Sequence, residues 1–430
     1  MQSIAVPVSF TVELQPEGAD IGSLERAVSA GLSAAGQQLW AELISTLEGL
    51  LAVARGHVGC GGILRSNGRA PRRMVTLAGE VALSRRRYRC GACGGEVVPL
   101  DGLLGLEPRS QHTLGVRERA LYLVTELSYA KTARTLDELR GLSVSHGQLH
   151  AWVAEEGTSI EAGVIARTEA VLGHHPDRAS TGRLPGDVWV QVDGTMVNDR
   201  RSGTHMEVKA GLVFTGVEQV GRHRRALLDR HLVGGVGSWT TFAERFTAAC
   251  AAMGVYEAER ILFVSDGAAA LRWIRARSFP DAIELLDWYH LSEQLRFGIG
   301  RQHEEVLSTA MGAAMPGDVH ALLAILRAHA RAIEGHDPEQ AMRCRGVIGY
   351  ATNNRRGIAN YAIVPLASSG PMEKAIDLVV CRRFKARGMS WFRQGVGNLL
   401  HLKLLRLNGS WDRYWAERLA AARRPWPVAA

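Results

Sequence analysis

Helical and alternating apolar patterns divide the chain into segments. From 20 to 55, Leu24, Val28, Leu32, Leu39, Leu43, Leu47 and Leu50 recur mostly at three- and four-residue steps, which predicts one long amphipathic helix. Asp20 or Ser23 is suited to cap its start and Gly56 to end it. Its expected work is packing or dimerisation. The segment MVTLAGEVALSRRRYRC (74–90) has strand character, and residues 115–157 return to helical spacing. Within the latter, a helix ending near Leu139, a turn at Gly141 and a second helix capped by Ser143 or Ser145 have the proportions of a helix-turn-helix. Any helical hairpin would give the same pattern. If the second helix faces a groove, Ser145, His146, Gln148 and His150 lie near its start.

Residues 170–186 have the Gly, Pro and polar composition of a linker. Strands are predicted at 188–195, 205–216 and about 225–234, a helix at 238–253, a strand at 261–265, a helix at 268–279 and a strand at 282–288. Three consecutive strands followed by helix–strand alternation imply a mixed sheet in an α/β fold. From Leu291 to about Asn353 the pattern is helical only.

At 430 residues and 46% hydrophobic, the chain can bury a large core in two or three domains. No apolar run is long enough to span a bilayer, and the first residues lack the basic start of a signal peptide, so a cytoplasmic protein without membrane attachment is expected. The net charge of +8 is modest, but the cations cluster. Eight arginines (Arg65, Arg69, Arg72, Arg73, Arg85, Arg86, Arg87, Arg89) face one acid, Glu80; Arg222, Arg224, Arg225 and Arg230 form a second group, and Arg382, Arg383, Lys385 and Arg387 a third. A charge run is usually a solvated face; three such runs suit a phosphate backbone and so a nucleic acid.

Two local patterns carry chemistry. His57-x-x-Cys60 and Cys90-x-x-Cys93, separated by a hairpin-sized segment and flanked by glycines, match the ligand spacing of a structural zinc ribbon. Cys250, Cys344 and Cys381 fall singly in helical or apolar stretches and read as buried small hydrophobes. Asp193 ends VWVQVD, Asp266 ends ILFVSD, and Glu373 opens the helical EKAIDLVVCRRFK. Two carboxylates at strand ends and one on a helix suit a shared divalent-metal site. Asp-Gly at 193–194 and 266–267 reads equally well as a pair of turns. Lys209 and Arg200, close to Asp193 in sequence, are further phosphate candidates, and Asp377 is a rival to Glu373. No Walker-type phosphate loop is present. A carboxylate-pair glycosidase fits the arginine clusters poorly.

In order along the chain, Cys60 with CGAC at 90–93, VVPLDGLLGL at 97–106, VQVDGTMV around Asp193, MEVKAGLVF at 206–214, FVSDGA at 263–268, DWYH at 287–290, SSGPMEKAIDLVVCRRFKARGMSW at 368–391 and WDRYW at 411–415 resemble the ribonuclease H-like DDE transposases, specifically the ISKra-type insertion-sequence transposases. His57 stands where that family usually has Cys, and Pro371 and Met372 replace a small residue and Val before the acid.

The resemblance implies that Asp193, Asp266 and Glu373 hold two Mg²⁺ or Mn²⁺ ions for cleavage and strand transfer of element ends into target DNA. Asp287 and His290 match a secondary Asp-x-x-His motif, which would support the ligands, position DNA or form a structural pair. Arg85, Arg86, Arg87, Arg382, Arg383, Lys385 and Arg387 would contact double-stranded DNA, and the protein would act as a homodimer or larger assembly near the nucleoid. The alternatives are a ribonuclease H-like nuclease without strand transfer, or an inactive DNA-binding derivative. The implied organisation is an N-terminal helical segment (1–56), a zinc-ribbon-like module (57–106), a helix-turn-helix-like module (107–169), a linker (170–186), a ribonuclease H-like catalytic domain in two parts (187–290 and 361–416) around an all-helical insertion (291–360), and a tail (417–430).

Overall fold

The computed structural model describes residues 6–7, 20–50, 56–57, 59–173, 184, 186–364 and 370–423. The end of the first predicted helix beyond Leu50, most of the linker and the tail from 424 lie outside them. The chain forms two units, Met1–Val153 with Gly409–Ala430, and Ala154–Asn408. Residues 409–416, which the sequence reading attaches to the catalytic segment, therefore group with the N-terminal unit. Among the described residues, no helix is long and apolar enough to cross a membrane.

In the first unit, α1 (Ile21–Leu50) is capped by Asp20, whose Oδ1 accepts from the Ser23 amide at 2.6 Å while Ser23 Oγ accepts from the Asp20 amide. It packs on the hairpin of β1 (Leu64–Thr76) and β2 (Gly79–Cys90), burying Ile44 against Met74, Val81 and Leu83. Short β3 (Glu96–Val97) and α2 (Pro99–Leu103) follow. Then come α3 (Leu114–Val124), α4 (Tyr129–Arg140) and α5 (His146–Gly173), whose residues from Ala154 on belong to the second unit. Gly141 ends α4 in the left-handed conformation, at φ 59°, which glycine adopts without steric cost. Ser145 Oγ accepts from the Gln148 amide and caps α5.

The second unit is built on a five-stranded mixed sheet. Its strands are β4 (Asp187–Asn198), β5 (His205–Phe214), β8 (His231–Val236), β9 (Arg260–Ser265) and β10 (Ile283–Leu286), in the order β10-β9-β4-β5-β8. The pairs β4–β5 and β5–β8 are antiparallel, whereas β4–β9 and β9–β10 are parallel. The strand expected at 225–234 is in fact two: β7 (Arg224–Leu228) pairs with β6 (Gly216–Gly221) as a separate hairpin, and β8 alone joins the sheet. At Asp229, between them, the backbone turns left-handed at φ 47°.

One face of the sheet is covered by α6 (Trp239–Ala252) and α7 (Ala269–Ser278), around Val190, Val192, Phe246 and Phe263. Leu262 and Val264 face a second core made by α8 (Trp288–Ile299), α9 (Glu304–Ala314), α10 (Val319–Ile333), α11 (Pro338–Asn353) and α12 (Arg355–Ala359). The stretch from 291 to 364 contains no strand. Next, α13 (Gly370–Ile376) passes through a π-helical turn at Asp377–Cys381 into α14 (Arg382–Phe384), and α15 (Arg393–Leu407) packs on β8. The chain then enters α16 (Trp411–Ala422) of the first unit, where Trp411 meets Tyr122 edge to face.

Candidate functional site

Two groups of side chains gather. The first is His57, Cys60, Cys90 and Cys93, whose ligand atoms all lie within 4.8 Å of one another. Its edges are 3.2 Å from His57 Nδ1 to Cys60 Sγ, 3.3 Å from His57 Nδ1 to Cys93 Sγ and 3.5 Å between Cys60 and Cys90 Sγ. A zinc tetrahedron with bonds of about 2.0–2.3 Å has edges of roughly 3.5–3.8 Å, so the set needs to open only slightly around an ion.

The two halves are built alike, as H-x-x-C-G-G and C-x-x-C-G-G. Gly61 (φ 68°) and Gly94 (φ 70°) turn left-handed directly after the second ligand of each half. The next glycine in each half is closely packed: a Cβ on Gly62 would clash at 2.6 Å from Cys90 Sγ, and one on Gly95 would be tight at 3.3 Å from Cys93 Sγ. The backbone amide of Cys93 pulls the Cys90 thiol down to about 6, with Ala92 assisting against burial. A thiolate-rich S₃N set of this kind could hold a metal ion such as zinc.

The second group lies at the centre of the sheet. The parallel ladder of β4 and β9 ends at Gln191↔Val264. Asp193 and Asp266 are each two residues further on; Asp193, within β4, shares the face of Gln191, and Asp266, just past the end of β9, lies close enough for its charge to act on Asp193. Asp193 is not at a strand end, as the Asp-Gly signal suggested, because β5 continues to pair with β4 through Asn198↔His205. Gly194 lies within the strand, and a Cβ there would meet Glu207 Oε1 at 2.6 Å. Only the second Asp-Gly is a turn: Gly267 has φ 81° and Asp266 Oδ1 accepts from the Ala268 amide at 2.8 Å.

Burial pushes the Asp193 carboxyl up to about 6. The Gly194 amide and His290 oppose this, while Asp266 and Glu207 add to it. Asp287 is fully buried; its Oδ2 accepts from the His290 amide, capping α8, and lies 2.5 Å from His290 Nδ1. That bond, more than the negative Asp266 and Asp193 nearby, holds the His290 imidazole above its usual value. The Asp-x-x-His pair thus places near the two aspartates an imidazole whose charged form is favoured.

Glu373 is exposed on α13, which packs on β4 and β5. Two contacts fix this helical stretch to the Asp193 face: Lys385 Nζ donates to Thr195 Oγ1 at 2.5 Å, and Cys381 feels the charge of Asp193. Glu373 acts electrostatically on Tyr289, the neighbour of His290 in sequence. Among the described residues, only the His/Cys set gathers three or more ligand atoms within 4.8 Å, so the three acids are more widely spread than a one-ion cluster. Asp377, the rival acid, is tied to Lys374 at 3.2 Å and Arg382 at 2.9 Å.

Several cations picked out by clustering have internal partners. Arg85 is buried and bound to Asp101. Arg383 is 2% exposed, with its guanidinium 4.9 Å from the centre of the Trp391 ring. Lys209 is buried between Glu207, the Gly237 carbonyl and Trp239. None of the three can lie along a DNA backbone. Arg86, Arg382, Lys385 and Arg387 remain exposed, and Arg87 is half-buried beside Glu96. In the helical pair α4–α5, Ser145, His146 and His150 are exposed and Gln148 partly so.

The sequence reading missed the residues that brace Asp266. Tyr350 Oη, from α11, donates to the Asp266 carbonyl at 2.7 Å, and Asn354 fills the space beside Gly267. A tyrosine and an asparagine in a helical run carry no local signal of this work, since the contact spans 84 residues.

These features define a two-unit α/β protein with a His/Cys cluster that could hold a metal ion and an acidic pair just beyond the parallel ladder of its sheet. The chain belongs to the uncharacterised protein family UPF0236, whose family model matches residues 14–418. It is similar to a Streptococcus gallolyticus protein described as "UPF0236 protein in vanSb 3'region", with 26% identity over 153 residues, or 35% of this chain and 31% of that protein. The chain thus matches under a third of that relative's length. Neither description names an activity.

Proposed function

We propose that the protein is a DDE transposase of ribonuclease H-like architecture, similar to the ISKra type, that cleaves and joins DNA strands. The observation that supports this most is the pairing of Asp193 and Asp266 at equal offsets beyond the β4–β9 ladder, with His290 near both and α13 packed on β4. The mixed sheet, in the order β8-β5-β4-β9-β10, supports the reading in the coarser sense that the resemblance implies a mixed sheet in the catalytic domain.

Asp193, Asp266 and Glu373 would hold two Mg²⁺ or Mn²⁺ ions. The donor set fits hard cations: carboxylate oxygens, one of them on a group whose burial makes its lone negative charge unfavourable. When bound, such ions stabilise charge on the attacking and leaving oxygens of an in-line displacement. The chain's own residues supply the rest. Tyr350 fixes the main chain at Asp266, and Asp287 orients His290 and favours its charged form, which would offer positive charge to a phosphate approaching the pair. The exposed helical pair α4–α5 offers a surface for the DNA groove. Two element ends must be held together, so two or more copies are required.

The test is incubation of the protein with pre-cleaved element ends and a target plasmid in Mg²⁺ or Mn²⁺. Joined products are expected from the wild type and none from Asp193→Asn, with DNA binding kept. Hydrolysis without joining would leave a nuclease, and undiminished joining by Asp193→Asn would overturn the assignment.

A further inference from the structure

The arginine clusters differ in what their guanidinium groups touch. In the first cluster, Arg69, Arg72, Arg73, Arg85 and Arg87 each pair with an acid of the protein itself. In the third, Arg382 is paired with Asp377 and Arg383 is buried. Of the second cluster, Arg230 lies past the β6–β7 hairpin and donates to the Leu407 carbonyl, whereas Arg222, Arg224 and Arg225 sit on the hairpin. Among the described residues these three form no ion pair, as is also true of Arg65, Arg86 and Arg89 in the first cluster, and Arg225 Nε donates to Gln219 Oε1 within the hairpin. Every residue from Val217 to Arg225 is exposed.

The ladder runs from Gly216↔Leu228 to Gly221↔Arg224, so Arg222 and His223 form a two-residue tip. At about 3.3 Å per residue the ribbon is roughly 20 Å long. Of its two neighbouring acids, Asp229 is bound to Thr215 at the base and Glu218 lies opposite Ala226, so positive charge concentrates at the tip. A two-stranded ribbon exposed on both faces is marginal alone. Its length, shape and charge fit a groove of duplex DNA, which admits such a ribbon.

We propose that the β6–β7 hairpin is a DNA-binding ribbon whose tip arginines, Arg222, Arg224 and Arg225, lie against phosphates of duplex DNA. The inference rests on the reading of this protein as one that acts on DNA, and it adds a contact surface that lies outside the acidic site. Neutralising phosphates releases counterions, so each contact contributes about 0.9 to the slope of log affinity against log salt.

The experiment measures binding of the full-length protein to a labelled duplex between roughly 50 and 200 mM salt, for the wild type, Arg222→Ala/Arg224→Ala/Arg225→Ala and the corresponding triple lysine variant. The alanine variant is expected to have a slope shallower by about 2–3, the lysine variant one close to the wild type. Two results would overturn the ribbon while leaving the transposase reading intact: an unchanged slope in the alanine variant, or equal loss in both variants. Displacement of the duplex by vesicles containing anionic phospholipid at equal phosphate would assign the ribbon to a membrane surface and also overturn it. A wild type that binds no duplex would sink both, and strand joining by the wild type separates that outcome from failure of the ribbon alone.

Discussion

Replacing Asp193 by Asn removes a charge that the fold holds at a disadvantage. The carboxyl is lifted from its ordinary 3.8 to about 6, mainly by burial. The folded state therefore binds a proton more tightly than the unfolded chain does, and between those two values stability falls as pH rises. A rise of that size corresponds to about 3 kcal/mol at neutral pH, of which roughly 1 is already present near pH 4.5. Asn keeps the shape and can still accept from the Gly194 amide, a bond of 2.7 Å in the wild type. A small part of the gain is returned, because the His290 imidazolium loses an anionic neighbour. Urea unfolding followed by circular dichroism, without added divalent ions, should show Asp193→Asn gaining about 2 kcal/mol more over wild type at about pH 7.5 than at about pH 4.5. A gain that is the same at both pH values, or that is larger in acid, would refute the argument that burial strains this carboxylate.

Other perturbations address the remaining features. Metal analysis of the purified protein should find about one zinc per chain, lost in Cys93→Ser; Gly62→Ala should weaken retention against a chelator, since its Cβ would stand 2.6 Å from Cys90 Sγ. Arg85→Ala should destabilise by about 1–3 kcal/mol in urea unfolding, because partly exposed Asp101 loses one of its two guanidinium partners and keeps Arg72, whereas exposed Arg86→Ala should change stability by less than about 0.5 kcal/mol. Tyr350→Phe should cost about 1 kcal/mol and speed hydrogen exchange in the 265–268 turn, which isotope exchange with mass spectrometry would read. Asp287→Asn should lower the titration midpoint of His290, followed by proton resonances of its imidazole, because the bond that favours its charged form is weakened.

Features set by neighbours in sequence could be read from the chain. The α1 repeat, the Gly141 turn, the Ser145 cap and the twin ligand pairs depend on local spacing, and the structure has all of them. Features set by distant partners could not. The end of β4 was misjudged because its antiparallel partner overrides the Asp-Gly signal, and 225–234 was read as one strand because nothing local marks the change of sheet at Asp229. Arg85 was open to better reading: Val81, Leu83 and Arg85 alternate inward, so the period that buries the first two also buries the third. The proximity of His290 to the two aspartates comes from α8 packing on the sheet, a relation with no trace in local pattern.

The His/Cys cluster sits at the open end of the β1–β2 hairpin, where Leu64 pairs with Cys90, far from its turn at residues 77 and 78. An ion there would act as a clasp, closing a loop of some thirty residues at its mouth and lowering the entropy the unfolded chain can recover. The ribbon would then open from its feet when the clasp is removed, while its far end, seated under α1, stayed shut.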